Sequence, residues 1–387
     1  MVDDVFTEKL SAPLVVFWEL TQQCNLSCCH CYTHSDMGGA RTERKVHVHI
    51  LRELCTQPIF TLGLGGGEPL MVPWLDEIVS QATGHGIDVN LSTNGIALTH
   101  ARAKRLAARG VSLIQVSIDG RERTHDLIRG TGTHAKALRA IRAVADAGVV
   151  CRVGFTVHRM NMDEMEDVFD EAVAAGAQWF IVFRYMSSGR AGDSIALNAE
   201  DLQDISSRLV RLQQQHPTQV FFERLLFLPF LYDERYVSHK HCNAGTSILN
   251  VRANGDVTPC PHMQGPVVGN LLQEDVQTLW HSPRMHARPR HRAFVYPART
   301  CPVAEEGVSV FFRSRGPRIR FVGMDDEPTL PHSIAVRPFC FMRYCTVHEV
   351  VRSRYRIHRA LLRVRARRAA DRSRSRLPRR LATAFAT

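Results

Sequence analysis

The sequence predicts an α/β protein: a partial (β/α)6 barrel, then a small cysteine-bearing domain and an irregular basic tail. Short apolar or β-branched runs alternate six times with amphipathic segments, which is typical of strand–helix units. Gly110, Gly148 and Gly176 stand where helices of these units should end. Serial units of this kind pair their strands in parallel through right-handed crossovers. Functional residues are therefore expected directly after each strand.

The predicted elements alternate regularly along the first half of the chain. The strands span residues 14–20, 59–64, 87–91, 113–118, 152–157 and 179–184. The helices between them span residues 46–56, 74–83, 100–108, 134–147 and 162–174. Within the helix at 134–147, Ala137, Ile141 and Val144 recur at helical spacing and form one buried face. The predicted domains are a lead-in at 1–13, the barrel at 14–230, the second domain at 235–345 and the tail at 346–387.

Charge is divided unevenly between the two ends of the chain. The net charge is +11, but residues 281–387 hold 24 Arg and 7 acidic residues, so residues 1–280 are net acidic. An acidic main body excludes a uniformly basic nucleic-acid-binding protein. No apolar stretch approaches the roughly 20 residues of a membrane span, and the acidic start is unlike a secretory signal. We expect a cytoplasmic protein with no membrane partner, whose eleven cysteines are metal ligands or buried thiols.

Three closely spaced cysteines follow the first predicted strand. Cys24, Cys28 and Cys31 form a CxxxCxxC motif. Three thiolates so spaced on one loop can bind three irons of a cubane and leave the fourth iron open to a substrate or cofactor. The alternatives are a fortuitous cysteine-rich loop and a zinc knuckle that uses Cys29 or His30.

Short polar sets follow the next three strands, at the same edge of the predicted sheet. The second strand leads into a Gly-Gly-Gly-Glu-Pro loop at 65–69, where glycines permit a close approach of the backbone to a neighbour. The third leads into Ser-Thr-Asn-Gly at 92–95, and the fourth into Ser-Ile-Asp-Gly at 117–120. Each set alone is compatible with a simple turn. Together, headed by CxxxCxxC, they indicate a ligand site.

These motifs resemble those of the radical S-adenosylmethionine (SAM) enzymes, and in particular the peptide and cofactor maturases with a C-terminal SPASM or twitch domain. The chain is similar to the maturases of the mycofactocin and pyrroloquinoline-quinone precursor peptides. The resemblance covers roughly residues 14–285 and is carried by WELTQQCNLSCCHCY, LGGGEPL, LSTNG, QVSIDGRERTHDLIRGTG and FRYMSSGR. It implies a TIM-like partial barrel with a SPASM/twitch-like second domain.

The resemblance implies that Cys24, Cys28 and Cys31 hold a [4Fe–4S] cluster whose unique iron chelates SAM. Reduction of this cluster would cleave SAM to methionine and a 5′-deoxyadenosyl radical, which abstracts hydrogen from a substrate carbon. Arg129 would either neutralise the SAM carboxylate or tie a loop to the barrel. Two further groups of residues are implied in SAM binding: Gly66, Gly67, Glu68 and Pro69 against the methionyl amine through backbone groups, and Ser92, Asn94, Ser117 and Asp119 along the carboxylate and ribose.

A second cysteine-bearing segment resembles the opening hairpin of a SPASM or twitch domain. Cys242 and Cys260 flank Asn254-Gly255, a good hairpin turn, and would give two thiolates to one auxiliary [4Fe–4S] cluster. The alternatives are two buried cysteines, or a zinc site from His239, His241, Cys242 and His262. The later cysteine block of the family is absent from this chain. The residues that could complete the auxiliary cluster are Cys301, Cys340 and Cys345.

The tail departs from the composition of the rest of the chain. Residues 352–380 hold 13 Arg and one Asp. Three interpretations compete: a basic appendage for an acidic partner or nucleic acid, a solvated amphipathic helix, and an out-of-frame C-terminus in a GC-rich gene. Translating the other two frames downstream of Trp280 would decide whether the missing cysteine block lies there.

The predicted function is the SAM-dependent radical modification of a peptide or a small cofactor precursor. Haem side-chain modification and sulfatase maturation are alternatives within the class, and no catalytic acid or base is identified. An alternative from another class is a degenerate or non-catalytic iron–sulfur protein with a nucleic-acid-binding tail. The expected partners are a separate leader-peptide-binding protein and a flavodoxin or ferredoxin electron donor. The substrate and the bond formed are not specified by the sequence.

Overall fold

The computed structural model describes residues 10–187, 190–222, 244–263 and 267–286. Their strands form one ten-stranded sheet in the order β10-β9-β8-β1-β2-β3-β4-β5-β6-β7. The strands are β1 Val15–Glu19, β2 Thr61–Gly65, β3 Asp88–Thr93, β4 Val111–Ser117, β5 Val150–Val157, β6 Trp179–Arg184, β7 Val220–Phe222, β8 Ile248–Val251, β9 Asp256–Thr258 and β10 Gly269–Asn270. From β1 to β7 every neighbouring pair is parallel.

Helices connect the parallel strands. They are α1 Arg44–Cys55, α2 Leu75–Gly84, α3 His100–Ala108, α4 Glu122–Arg129, α5 Thr133–Asp146, α6 Met165–Ala174, α7 Ala199–Gln215, α8 Val276–His281 and α9 Pro283–His286. Short 3-10 turns occupy Pro69–Met71, Met162–Glu164 and Gly192–Ile195. Helix α7 begins with a capping box, in which Asn198 and Asp201 bond each other's backbone N–H groups. Within the described segments, no helix combines the length and apolarity needed to cross a membrane.

Alternation along the strands divides the sheet into two faces. Residues such as Leu91, Ile114 and Val153 are fully buried and pack with the helices in one core. Their neighbours on the opposite side, here called the inner face, include Ser92, Gln115, Arg152 and Trp179. The helix side is therefore an ordinary apolar core, whereas the inner face carries polar and partly exposed side chains.

All six predicted strands are confirmed, and the structure adds a seventh parallel strand. β7 has only three residues, which is too short for its alternation to be read from sequence. The sheet also continues beyond β1, because β8 pairs with β1 in parallel and β9 and β10 follow antiparallel. The predicted hairpin turn is present, with Gly255 at φ +89°. The hairpin thus extends the barrel sheet itself.

Some predictions fall on residues that the structure does not describe. Cys242, Cys301, Cys340 and Cys345 lie outside the described residues, as does the predicted tail. The alternative zinc site in the second segment would also use His239 and His241, which lie outside the described residues. Of its four predicted ligands, only His262 is described.

Candidate active site

The loop after β1 brings the three motif cysteines together. Cys24 and Cys28 are buried and Cys31 is half-buried. The Cys24 N–H donates to the Asp36 carbonyl over 2.9 Å, and the Cys31 N–H to the Cys28 carbonyl over 3.2 Å, so the loop is folded by its own backbone. The pKa of the Cys24 thiol is raised to about 11, chiefly by burial, and the nearby Glu68, Cys28 and Cys31 contribute to this rise. Burial also raises the pKa of the Cys28 thiol, and a coordinating metal would deprotonate both thiols.

Hydrogen-bond donors surround these sulfurs. The Leu26 N–H lies 3.4 Å from the Cys24 Sγ, and the Asn94 Nδ2 lies 3.7 Å from the same atom. The Arg129 Nη1 lies 3.8 Å from the Cys28 Sγ, and the Cys31 Sγ lies 3.3 Å from a hydroxyl, that of Thr33. Donors of this kind orient thiolate ligands and tune an iron–sulfur cluster.

The thiols fit a cubane better than a single metal ion. Among the described residues, no three His, Cys, Asp or Glu side chains are placed to hold one ion. In a cubane each thiolate binds a different iron, so the sulfurs must stand further apart than the ligands of one ion. The His30 Nε2 lies 2.9 Å from the Asp119 Oδ2, so only the Nδ1 of this imidazole would be open to a metal ion.

A buried ion pair lies directly beneath the cysteine loop. Asp119 follows β4 and is fully buried, and the Arg129 Nε at the end of α4 donates to its Oδ2 over 2.5 Å. The Thr156 N–H donates to the other carboxylate oxygen over 2.7 Å. Burial alone would raise the pKa of Asp119, but Arg129 and His30 hold it well below its ordinary value. Asp119 is therefore ionised and joins β4, α4, β5 and the cysteine loop.

The predicted roles of Asp119 and Arg129 toward SAM stay predictions, and the structure shows what both side chains contact within the protein. The Asp119 carboxylate is fully buried, and both of its oxygens accept hydrogen bonds from the protein itself. Arg129 ties the loop to the barrel through Asp119 and Cys28, and its own pKa is raised by that carboxylate against the effect of burial. Its charge also lies beside the thiol of Cys28, where it stabilises the thiolate.

The glycine loop approaches the chain segment that leads to the cysteines. A Cβ on Gly67 would lie 2.1 Å from the Gln23 carbonyl oxygen, and Gly66 adopts φ +110°. The Gly67 N–H donates to Thr21 over 2.6 Å and the Glu68 N–H to Gln23 over 2.8 Å. These N–H groups are therefore used within the protein. A ligand amine in its ammonium form only donates hydrogen bonds, so it would bind carbonyl oxygens of this loop.

Glu68 holds two loops together. It is fully buried, and its Oε1 accepts from the Leu70 N–H over 3.0 Å and from the Thr93 hydroxyl over 2.7 Å. Its Oε2 accepts from the Asn94 N–H over 2.8 Å. Burial raises the pKa of Glu68, and these donors oppose the rise. The side chain joins the ends of β2 and β3; Pro69, also buried, begins the following 3-10 turn.

Of the remaining predicted residues, two keep a position open to a ligand. Ser92 and Ser117 are half-buried on the inner face, at the carboxyl ends of β3 and β4. Asn94 is turned towards the cysteine loop, where its Nδ2 donates to the Asn25 Oδ1 over 2.7 Å. Its side chain therefore braces the loop in addition to contacting the sulfur of Cys24.

Arg190, for which the sequence predicts no role, donates hydrogen bonds to the backbone of the cysteine loop. Its Nη1 donates to the Cys28 carbonyl over 2.9 Å and its Nη2 to the Ser35 carbonyl over 2.5 Å. The Ala191 N–H donates to the Cys29 carbonyl over 2.8 Å. In the sequence, the one indication of a role for Arg190 is its place at the end of FRYMSSGR, a stretch that carries part of the family resemblance.

The second cysteine-bearing segment lies beside the first. The Asn250 Nδ2 on β8 is 3.4 Å from the Glu19 Oε1, and Glu19 ends β1 just before the cysteine loop. Burial raises the pKa of the Glu19 carboxyl, while Asn250 opposes the rise. Burial also raises the pKa of Tyr32, and the nearby Cys260 adds to this effect. The thiol of Cys260 is therefore close to the first-cluster loop, with Tyr32 near both.

Comparison with known proteins agrees with this geometry. The radical SAM superfamily model matches residues 18–172, and the model of SPASM, an iron–sulfur cluster-binding domain, matches residues 242–302. The mycofactocin maturase MftC of Mycobacterium tuberculosis is 32% identical over 290 residues, which cover 71% of this chain and 72% of that protein. The chain belongs to the radical SAM superfamily. Within it, the second matched domain places the chain in the SPASM subgroup.

Other relatives of this radical SAM enzyme have diverse names. The AdoMet-dependent heme synthase of Methanosarcina barkeri is 30% identical over 301 residues, covering 72% of this chain and 85% of that protein. The PqqA peptide cyclase of Streptomyces rochei is 29% identical, covering 76% and 82%. The structure of Streptococcus suis SuiB bound to precursor peptide SuiA has a TM-score of 0.63 at 16% identity, covering 77% of this chain and 71% of that chain. At that identity the likeness concerns the fold alone.

Family membership supplies the cofactors. The enzyme uses a [4Fe–4S] cluster and SAM, and its SPASM domain implies auxiliary iron–sulfur chemistry. The matched SPASM region includes Cys242, Cys260 and Cys301, whereas Cys340 and Cys345 lie beyond it. Of the three candidates to complete one auxiliary cluster, only Cys301 lies inside the matched region.

Proposed function

We propose that this enzyme carries out a radical, SAM-dependent modification of a peptide, acting as a maturase of a ribosomally made precursor. The observation that carries the proposal is the loop of Cys24, Cys28 and Cys31, with two of the thiols buried and a hydrogen-bonding group at each sulfur. The reduced cluster, when bound, supplies the electron that cleaves SAM to methionine and a 5′-deoxyadenosyl radical able to abstract hydrogen. The protein's own residues must hold the cluster, orient SAM and exclude water.

Each group of residues contributes to one of these tasks. The cysteines hold the cluster, and Arg129 and Asn94 bond two of its sulfurs. The carbonyl oxygens of Gly66 and Gly67 are suited to the methionyl amine of SAM, since an ammonium group only donates hydrogen bonds. Ser92 and Ser117 on the inner face are suited to its carboxylate and ribose. Glu68 and Asp119 act indirectly, because they fix the loops that carry these groups.

A peptide is the substrate class that the relatives favour. Among them are a mycofactocin maturase and a PqqA peptide cyclase, and SuiB has the same fold and was solved with a precursor peptide. A porphyrin precursor is the second candidate, because the heme synthase relative matches over 85% of its own length. A cytoplasmic location, a leader-peptide-binding partner and a flavodoxin or ferredoxin donor complete the proposal.

The test is a direct search for a modified peptide. The reconstituted enzyme would be incubated anaerobically with SAM, a reductant and each short peptide encoded beside its gene, and the products would be analysed by mass spectrometry. A mass change with the wild type and with Cys55→Ala, but not with Cys24→Ala, supports the proposal. A parallel incubation would contain coproporphyrin. If coproporphyrin is modified and none of the peptides is, the substrate class is a porphyrin and not a peptide.

A further inference from the structure

We infer that Arg152 anchors a carboxylate of the substrate on the inner face of the barrel, an inference that rests on the proposed function. Arg152 lies on β5 between Cys151 and Val153, both of which are fully buried on the helix side. Because strand side chains alternate, Arg152 points to the inner face. Its register partners on the neighbouring strands are Gln115 of β4 and Trp179 of β6.

The side chain of Arg152 is half-buried, and no acidic group faces it in the part of the chain that the structure describes. Its Nε is buried and has no hydrogen-bond partner there. Burial lowers the pKa of Arg152 to about 10, and no acidic group of the described chain counteracts this. By contrast, Arg129 is paired with Asp119, and Arg208 with Glu166.

A cation that is partly removed from water and has no partner is unfavourable for the folded protein. The lost hydration costs free energy unless an anion or hydrogen bonds offset it. A ligand that brings an anion to this position removes the penalty when it binds. Arginine binds carboxylates through two parallel N–H donors, so a carboxylate is the fitting group.

The neighbours of Arg152 narrow the class of ligand. The Oε1 of Gln115 is also buried and, within the described residues, accepts no hydrogen bond, so it requires a donor. On the other side, Trp179 is partly exposed, and its ring packs edge-on against Phe221 with centroids 5.6 Å apart. An anion, an N–H donor and an apolar group within a few ångströms of one another occur together at the C-terminal end of a peptide. A propionate of a porphyrin offers the anion without the adjacent N–H.

Stability without substrate provides the first test. Arg152→Met removes the charge and keeps much of the volume, so the melting temperature of the reconstituted protein should stay the same or rise. Arg102→Met is the control: the Arg102 Nε also lacks a hydrogen bond in the described structure, but Asp76 and Glu68 are near its charge, so its loss should not stabilise. A clear fall in the melting temperature of Arg152→Met would mean that Arg152 has a structural partner, and would overturn the inference.

Binding of defined probes provides the second test. The probes are an N-acetylated pentapeptide of Ala and Phe with a free C-terminal carboxylate, its C-terminal amide, the amide with a Glu side chain at the last position, and coproporphyrin. At constant ionic strength the free acid should bind at least 10-fold more tightly than the amide. That ratio should fall towards one in Arg152→Met and persist in Arg102→Met. Binding of the plain amide as tightly as every carboxylate probe, or no binding of any carboxylate probe, overturns the inference.

The remaining outcomes show which molecule supplies the carboxylate, and they separate the Arg152 anchor from the proposed function. If the Glu-bearing amide or coproporphyrin binds most tightly and this preference is lost in Arg152→Met, Arg152 still anchors a carboxylate. The carboxylate then belongs to a side chain or a porphyrin and not to a peptide C-terminus. Release of 5′-deoxyadenosine by the wild type is measured in the same preparation. If SAM is cleaved but no carboxylate preference exists, the anchor alone fails. If the preference exists but SAM is not cleaved, the proposed function fails and the anchor stands.

Discussion

Asp119 connects more of the active site than any single cysteine does. Its carboxylate contacts Arg129, His30 and the Thr156 N–H, and its main-chain carbonyl accepts from the Asn161 Nδ2 over 3.0 Å. The end of β4, the end of β5 and the cysteine loop therefore share one buried charge. Removing that charge leaves Arg129 buried without its partner, which is a costly state.

Replacing Asp119 with Asn should strongly destabilise the protein. We expect a loss of about 3 kcal/mol in the free energy of unfolding, because one partner of a buried ion pair is neutralised, and a lower iron content after reconstitution. Anaerobic urea unfolding and iron analysis measure both quantities. The control is Asp167→Asn, whose carboxylate lies 3.4 Å from Arg121 in an exposed pair and should change stability by less than about 1 kcal/mol. Similar effects of the two substitutions would contradict this role for Asp119.

Gly65 and Gly67 should differ in their tolerance of substitution by alanine. A Cβ on Gly67 meets the Gln23 carbonyl at 2.1 Å, whereas a Cβ on Gly65 meets nothing within 4 Å. Gly67→Ala should therefore displace the segment before Cys24 and lower the melting temperature, while Gly65→Ala should leave it nearly unchanged. Thermal unfolding of both variants tests this pair. A tolerant Gly67→Ala would show that the close approach to Gln23 is not required.

Spacing in the sequence indicated the cluster cysteines and the glycine loop, but not which polar residues face a ligand. Asp119 and Glu68 have the residue types of a binding site, and only the packed structure shows that both are fully buried. His47 stands in a polar stretch, yet its Nε2 bonds the Leu20 carbonyl over 2.6 Å and its Nδ1 accepts from Trp74. Burial depends on contacts distant in sequence, which a single sequence does not encode locally.

At the level of elements, the hairpin of the SPASM region is built onto the barrel. β8 pairs in parallel with β1, and β1 leads directly to the cluster cysteines. Leu249 and Val251 of β8 belong to the same core as Val16 and Trp18 of β1. We therefore expect the hairpin and the barrel to unfold together.

Leu249→Ala tests this coupling. Leu249 is fully buried, so its truncation should cost about 2–5 kcal/mol and shift one common transition, seen both in circular dichroism and in the absorbance of the reconstituted cluster. Leu272→Ala, at a side chain that is 42% exposed, should have little effect. If Leu249→Ala instead produced a separate, earlier transition and left the barrel transition unchanged, the hairpin would fold independently of the barrel.

The long periodic elements could be predicted from the sequence, whereas pairing between distant strands could not. The six strands have clear apolar runs bounded by glycine or polar clusters, and the structure has all six. The pairing of β8 with β1 brings together residues 15–18 and 248–251, and no local pattern specifies it. The hairpin turn itself was predictable, because Asn-Gly favours it.

For the whole molecule, buried histidines should limit stability in acid. The pKa of His125 is lowered to about 3 by burial and by Arg129, and that of His158 to about 4, chiefly by burial. Both lie below the unfolded value of about 6.5. As the pH falls below 6.5 the unfolded chain therefore takes up protons first, and stability decreases until the folded histidines are protonated.

Lowering the pH from 7.5 to 5.5 should cost about 1 kcal/mol for each of these two histidines. Urea unfolding at both pH values measures the loss. In His125→Gln the difference between the two pH values should shrink, whereas in His85→Gln, at an exposed position, it should not. An unchanged pH dependence in His125→Gln would contradict a neutral, buried His125 that accepts a hydrogen bond from the Asp119 N–H.

The central claim is that Cys24, Cys28 and Cys31 hold the cluster that cleaves SAM. The most direct measurement is the yield of 5′-deoxyadenosine from anaerobically reconstituted enzyme with SAM and dithionite, compared with a variant in which all three cysteines are Ala. We predict steady production by the wild type and none by the variant. Equal yields from both, or no product from a wild type whose cluster is present and reducible, would contradict the account.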